Sequence, residues 1–186
     1  MPKIDPYQSW GALEARLATE TSPRARTLIK AVRDHMEFEI KGQLEPLMGT
    51  LTAEPVYHFW GQGMLLEGRE AVSGFYSGMI AGGGNQFEVV VDNIIADDER
   101  VVTEGQVKQV HTGKELKGMG MTELLDETIN DDDLFMTTTQ LITVWPGAAD
   151  DKLLGEDIYF GGDPFANVEK ITADDLPDYY RWQDRV

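Results

Sequence analysis

The chain has 186 residues, 41% of them hydrophobic, with four Trp, no Cys and a formal net charge of -17. That composition excludes a disordered or membrane-spanning chain, and the lack of Cys excludes disulfide stapling and thiol catalysis. Surplus acid without a Lys/Arg stripe repels phosphate backbones and anionic lipids, so neither nucleic acid nor a membrane surface is an expected partner.

The length predicts one domain over 1–186, with an N-terminal extension and helix (1–24), a core (25–161) and a tail (162–186). "MPKIDPYQSW" has no export-signal pattern, so a cytoplasmic location is expected. Trp10, Leu13 and Leu17 recur at helical spacing after Ser9, and Pro23 behind Ser22 opens a second helix. That helix carries Leu28, Ile29, Val32, Met36, Ile40, Leu44 and Leu47 on one face and is expected to run until Pro46 or Gly49. "PVYHFWG" (55–61) reads as a strand apolar on both faces, with Tyr57 and Phe59 on one side and Val56, His58 and Trp60 on the other. Such a strand needs cover on both sides, which predicts self-association, and His58 is assigned to packing or an interface.

A short helix follows, Arg69 to Ile80, with Tyr76 on its apolar face, and the glycines at 82–84 read as a turn. From Gln86 the period becomes two: "FEVVVDNII", "VVTEGQVKQVH", "LFMTTTQLITVW" and "LLGEDIYF" predict four strands. Within the 113–133 connection, "TELLDETI" is expected to form a short helix. The tail, with Tyr179, Tyr180 and Trp182, is expected to dock on the body or on a neighbour.

Alternation assigns faces. Phe87, Val89, Val91, Asn93 and Ile95 are expected inside, as are Thr103, Gly105, Val107, Gln109 and His111. On the last strand the inside set is Leu154, Glu156, Ile158 and Phe160. A lone carboxylate among apolar neighbours has its charged form disfavoured, so Glu156 is the candidate acid or base. His111 is the candidate complementary base. On the long helix His35 and Glu39 stand one turn apart and are expected either to enter the pocket or to pair with each other. Asn93 is expected to bind a ligand carbonyl or a backbone group. Three scattered His without close spacing predict no metal site, and the absence of G-x-S-x-G argues against a serine triad.

The element order, with "VYHFWGQGMLLEGREAVSGFY", "DNIIADDERVVTEGQV" and "GEDIYF", resembles the nuclear-transport-factor-2-like superfamily, closest to its SnoaL-like polyketide cyclase branch. The resemblance covers about residues 25–161. It implies an α+β fold in which a cone-shaped, curved mixed sheet wraps a long helix, with an apolar pocket at the open end and a homodimer through the sheet. Tyr57 matches a pocket-facing tyrosine of the limonene epoxide hydrolases, which have Asn at the position of Phe59. Their catalytic Arg and Asp fall on Gly105 and Val107, and their last-strand acid on Ile158, so that triad is absent.

The expected function is therefore a small-molecule enzyme (isomerase, cyclase, dehydratase or hydrolase) working by acid/base chemistry without a cofactor on an apolar oxygenated substrate. Glu156 and His111 are its candidate catalytic residues, and Tyr57, Phe59, Asn93, His35, Glu39 and Tyr76 its candidate substrate-binding residues. The alternatives are a non-catalytic module for a hydrophobic ligand and a dimeric association domain.

Overall fold

A computed structural model describes residues 2–182. Helix α1 (Gly11–Thr19) packs on α2 (Pro23–Ile40). The Ser22 hydroxyl accepts from the Ala25 N–H and Pro23 takes the first turn, so the start of α2 follows from local chemistry. Its apolar side, Leu28, Ile29, Val32 and Met36, is buried in the main core. The helix does not reach Leu44 as expected. It stops at Ile40, the chain turns through Gly42 at φ 66°, and α3 (Leu44–Gly49) begins separately. A residue without Cβ enters that left-handed conformation at no steric cost.

Strand β1 (Leu51–Phe59) forms a hairpin with β2 (Met64–Glu67), a short strand that its sequence does not announce. Helix α4 (Gly68–Ala81) follows, then β3 (Glu88–Ala96) and β4 (Arg100–Thr112). After α5 (Gly113–Gly118), "TELLDETI" is not helical: it forms the hairpin β5 (Glu123–Leu124) and β6 (Glu127–Thr128), with Leu125 and Asp126 at φ 54° and 61°. Strands β7 (Leu134–Pro146), β8 (Leu153–Phe160) and β9 (Val168–Ile171) complete the chain.

The expected α+β cone is present. Seven strands form one curved sheet in the order β2-β1-β8-β7-β4-β3, with β9 added to β7. β1 and β8 run parallel and the remaining pairs antiparallel. The inner face and α2 share the main core. At one end of the sheet the outward residues Val110, Leu134 and Met136 are covered by Ile4, Ile171, Leu176 and Tyr180, so the tail docks on the body. Residues 183–186 of the expected tail lie outside the described residues. At the same end the inward Phe135 packs with Leu116 and Ile129, and Phe165 joins them. Among the described residues no helix is long and apolar enough to cross a membrane.

Two irregularities re-aim side chains. In β3 the pairing passes from Val91–Gly105 to Asn93–Glu104, leaving Asp92 as an extra residue. This bulge reverses the alternation, so Asn93 and Ile95 are exposed where they were expected inside, and Ile94 and Ala96 turn to the core. Gly105 permits the bulge, since a Cβ there would overlap the Val90 carbonyl. In β8, Gly155 at φ 138° lies against the Val56 backbone, and Leu154, expected inside, is exposed.

Candidate functional site

The inner surface of the cone encloses an apolar cavity of about 140 Å³. Phe59, Val89, Val107, Trp145 and Ile158 form buried walls, while Phe75, Met79, Phe87, Leu141 and Phe160 are half-buried. Phe59 and Phe75 meet with ring centroids 5.5 Å apart.

A polar cluster interrupts this wall at one place. His35 of α2 is fully buried, and its Nδ1 lies 2.7 Å from Thr50 Oγ1. The Thr50 hydroxyl hydrogen is committed to the Leu47 carbonyl at 2.7 Å, so Nδ1 is the donor to Thr50. The other nitrogen, Nε2, faces Tyr76 Oη at 2.9 Å, Glu156 Oε1 at 3.2 Å and Tyr57 Oη at 3.3 Å. Tyr76 Oη is also 3.1 Å from Glu156 Oε1 and 3.0 Å from Tyr57 Oη. Four elements therefore bring four side chains to one point: α2, β1, α4 and β8. Burial pushes both tyrosine hydroxyls well above their usual range, and the charge of Glu156 adds to it. They stay protonated donors at any physiological pH.

Glu39, one turn beyond His35, lines the cavity and has no hydrogen-bond partner among the described residues. Burial is the main cause that raises its carboxyl well above the ordinary carboxylate range, and the nearby Glu156 charge is the second. A carboxyl so placed can exchange a proton with a bound molecule, whereas Glu156 Oε1 already accepts from the Tyr76 phenol. Among the described residues no three His, Cys, Asp or Glu side chains converge to hold a metal ion.

The family model of the SnoaL-like domain matches residues 32–130, more than half of the chain. The chain belongs to the SnoaL-like domain family. An NTF2-like protein from Anabaena variabilis superposes with a TM-score of 0.54 at 16% identity, covering 79% of this chain and 98% of that one. A candidate SnoaL-like polyketide cyclase from Shewanella putrefaciens gives 0.59 at 9% identity, with 86% and 90% covered. SalBIII, an epoxide hydrolase/cyclase-like enzyme of pyran ring formation in the polyether salinomycin, gives 0.53 at 11% identity, with 77% and 95% covered. At these identities the likeness concerns the fold alone. No curated protein sequence matches the chain.

Within this SnoaL-like cone, six of the residues singled out from the sequence come together: His35, Glu39, Tyr57, Phe59, Tyr76 and Glu156. The expected pairing of His35 with Glu39 is not made, because the imidazole is fully engaged by Thr50, the tyrosines and Glu156. Asn93 is outside the site: the bulge turns it outward, where its amide donates to Glu104 at 3.1 Å. His111 keeps its inward aspect yet does not line the cavity. It sits further along β4, 3.4 Å from Thr137 Oγ1 and 5.6 Å from the Phe165 ring. The 163–171 segment, read from the sequence as tail, supplies that cover. His58 stacks on Trp60 at 3.6 Å on the outer face, as assigned. Sequence reasoning missed Thr50, which fixes the His35 tautomer, and Thr143, which lines the cavity. Thr143 was findable from the inward row of β7; Thr50 carries no local signal.

Proposed function

We propose that this chain is an enzyme that moves protons on a small, apolar, oxygen-bearing substrate held in the cone. Glu39 is the acid/base group. As a carboxylate it takes a proton from a carbon beside the substrate's carbonyl, and Tyr57, whose contact with His35 Nε2 is the longest in the cluster, donates a hydrogen bond to the carbonyl oxygen as negative charge develops on it. Glu156 and His35 Nε2 face the two phenols and hold them in place. The observation that carries this reading is the unpartnered Glu39 carboxyl in an apolar cavity, beside Glu156, whose Oε1 already accepts from Tyr76. An apolar cavity of roughly 150 Å³ accepts benzene, so the bound portion is about one ring in size. Isomerisation, cyclisation, dehydration and epoxide opening all fit this chemistry, and cyclase and epoxide hydrolase/cyclase-like are the names carried by two of the structural neighbours.

The test is turnover of a panel of cyclic enones, epoxides and β-hydroxy ketones by the parent protein and by Glu39→Gln. Turnover lost in the variant with the fold intact is expected; a variant as active as the parent removes Glu39 from the mechanism.

We also propose that two copies pair through the outer face of β1, β2 and β8. Val56, Leu65, Leu154 and Tyr159 of these strands and Trp60 in the turn between β1 and β2 are each at least 40% exposed.

A further inference from the structure

Alternate residues of β7 point into the cone, and two of them are threonines whose hydroxyls make no hydrogen bond among the described residues, Thr139 and Thr143. Both are more than nine-tenths buried, at 6% and 4% exposure. Thr143 lines the apolar cavity. Thr139 lines a second recess of about 230 Å³, between the turn after β1 and the turn after β8, together with Gln62, Gln109, Gly162 and Pro164. Gln109 and Phe160 belong to both linings, so the two spaces adjoin. No hydrogen bond within the described residues engages the side-chain amide of Gln62 or Gln109. The recess carries no charged side chain, although the chain has a net charge of -17. Four residues of extended strand set the two threonines about 13 Å apart.

We propose that cavity and recess are one elongated site for a neutral amphipathic molecule: a ring-sized apolar end beside Glu39, and an uncharged arm of ether or hydroxyl oxygens hydrogen-bonded by Thr139, Gln109 and Gln62. This rests on the reading of the cavity as the substrate site. A buried hydroxyl and two free amides offer donors and acceptors to such an arm. A carboxylate, phosphate or ammonium in the recess would be desolvated with no opposite charge to meet it.

Binding is measured by calorimetry with three probes: 2-phenoxyethanol, triethylene glycol monophenyl ether, and an arm of the same length ending in a carboxylate. The neutral long ether is expected to bind about tenfold more tightly than 2-phenoxyethanol, and the carboxylate arm to gain nothing. Thr139→Val, which keeps the branched shape of the side chain, is expected to remove the gain and leave 2-phenoxyethanol binding unchanged. That unchanged binding also reports an intact fold. If 2-phenoxyethanol binds but the longer ether gains nothing, or if the gain survives both Thr139→Val and Gln109→Leu, the elongated site is overturned while the cavity reading stands. If neither neutral ether binds, both are overturned.

Discussion

The Nε2 of His35 and the Oε1 of Glu156 lie 3.2 Å apart, with side-chain exposures of 0% and 8%. Both are shielded from bulk water, so removing the ring leaves its buried neighbours Thr50, Tyr57, Tyr76 and Glu156 without the partner that joins them. His35→Ala is expected to destabilise the protein by about 3 kcal/mol, since a buried carboxyl and two buried phenols lose a common neighbour. Equilibrium urea unfolding measures this, and a midpoint equal to the parent's would show that the ring contributes nothing to stability.

Glu39 has a stability signature separate from catalysis. Its carboxyl is raised in the folded state above the ordinary value of 4.5, so the folded protein binds the proton more tightly than the unfolded chain does. The associated stability is fully present below the unfolded value and is lost as pH rises through the folded one. Glu39→Gln removes that loss. The variant is expected to melt at a higher temperature than the parent at pH 8, and the difference is expected to shrink steadily toward pH 4.5. A difference independent of pH would show that the carboxyl is not perturbed.

The bulge in β3 depends on one glycine. Gly105→Ala places a Cβ against the Val90 carbonyl, a rigid backbone atom that cannot rotate aside. The cost is expected to be roughly 3 kcal/mol, through overpacking or through loss of the bulge. Thermal melts give the magnitude. Substitution with no cost would mean that the strands separate freely at this point.

On the outer face, Trp60 stacks on His58, donates to Asp157 at 2.9 Å and remains half-exposed. If two copies meet here, Trp60→Glu places a charge in the apolar patch and is expected to yield a monomer, with an unchanged far-ultraviolet spectrum. Light scattering after size exclusion reads the mass. A parent that is already monomeric at high concentration overturns the pairing.

Where strands run without interruption, alternation read from the residues alone was enough. β4 and β7 pair without a slip from Arg100–Pro146 to Thr112–Leu134, and Val107 and Gln109 face the cavity as the period requires. The same reasoning fails at Asn93, just after the break in β3, and at Leu154, just before the break at Gly155 in β8, because an irregularity in the pleat puts the residues on its two sides out of phase. Gly105 in mid-strand was the one visible marker of the first break, since a strand interior seldom omits its Cβ without a neighbour pressing on it.

The site divides in the same manner. Glu156 stood out because a carboxylate on an apolar row is anomalous by itself. The true company of His35 could not be read from helix spacing, which offers Glu39 and says nothing of Thr50, Tyr76 or Glu156 from other elements. A fully buried imidazole must satisfy both nitrogens, and only the assembled fold supplies partners for both. His111 was placed on the correct face, but the segment that covers it lies beyond the four strands whose pattern was legible.

The Phe165–His111 contact closes the row of inward residues just past Thr139, and Phe165, which supplies the cover, lies outside the 32–130 stretch matched by the family. The cover at this end is thus encoded after β8, beyond the elements that carry His35, Glu39, Tyr57, Tyr76 and Glu156. Lengthening or trimming the turn after β8 would alter which molecules fit while leaving the proton-handling residues untouched, so specificity can diverge here faster than mechanism.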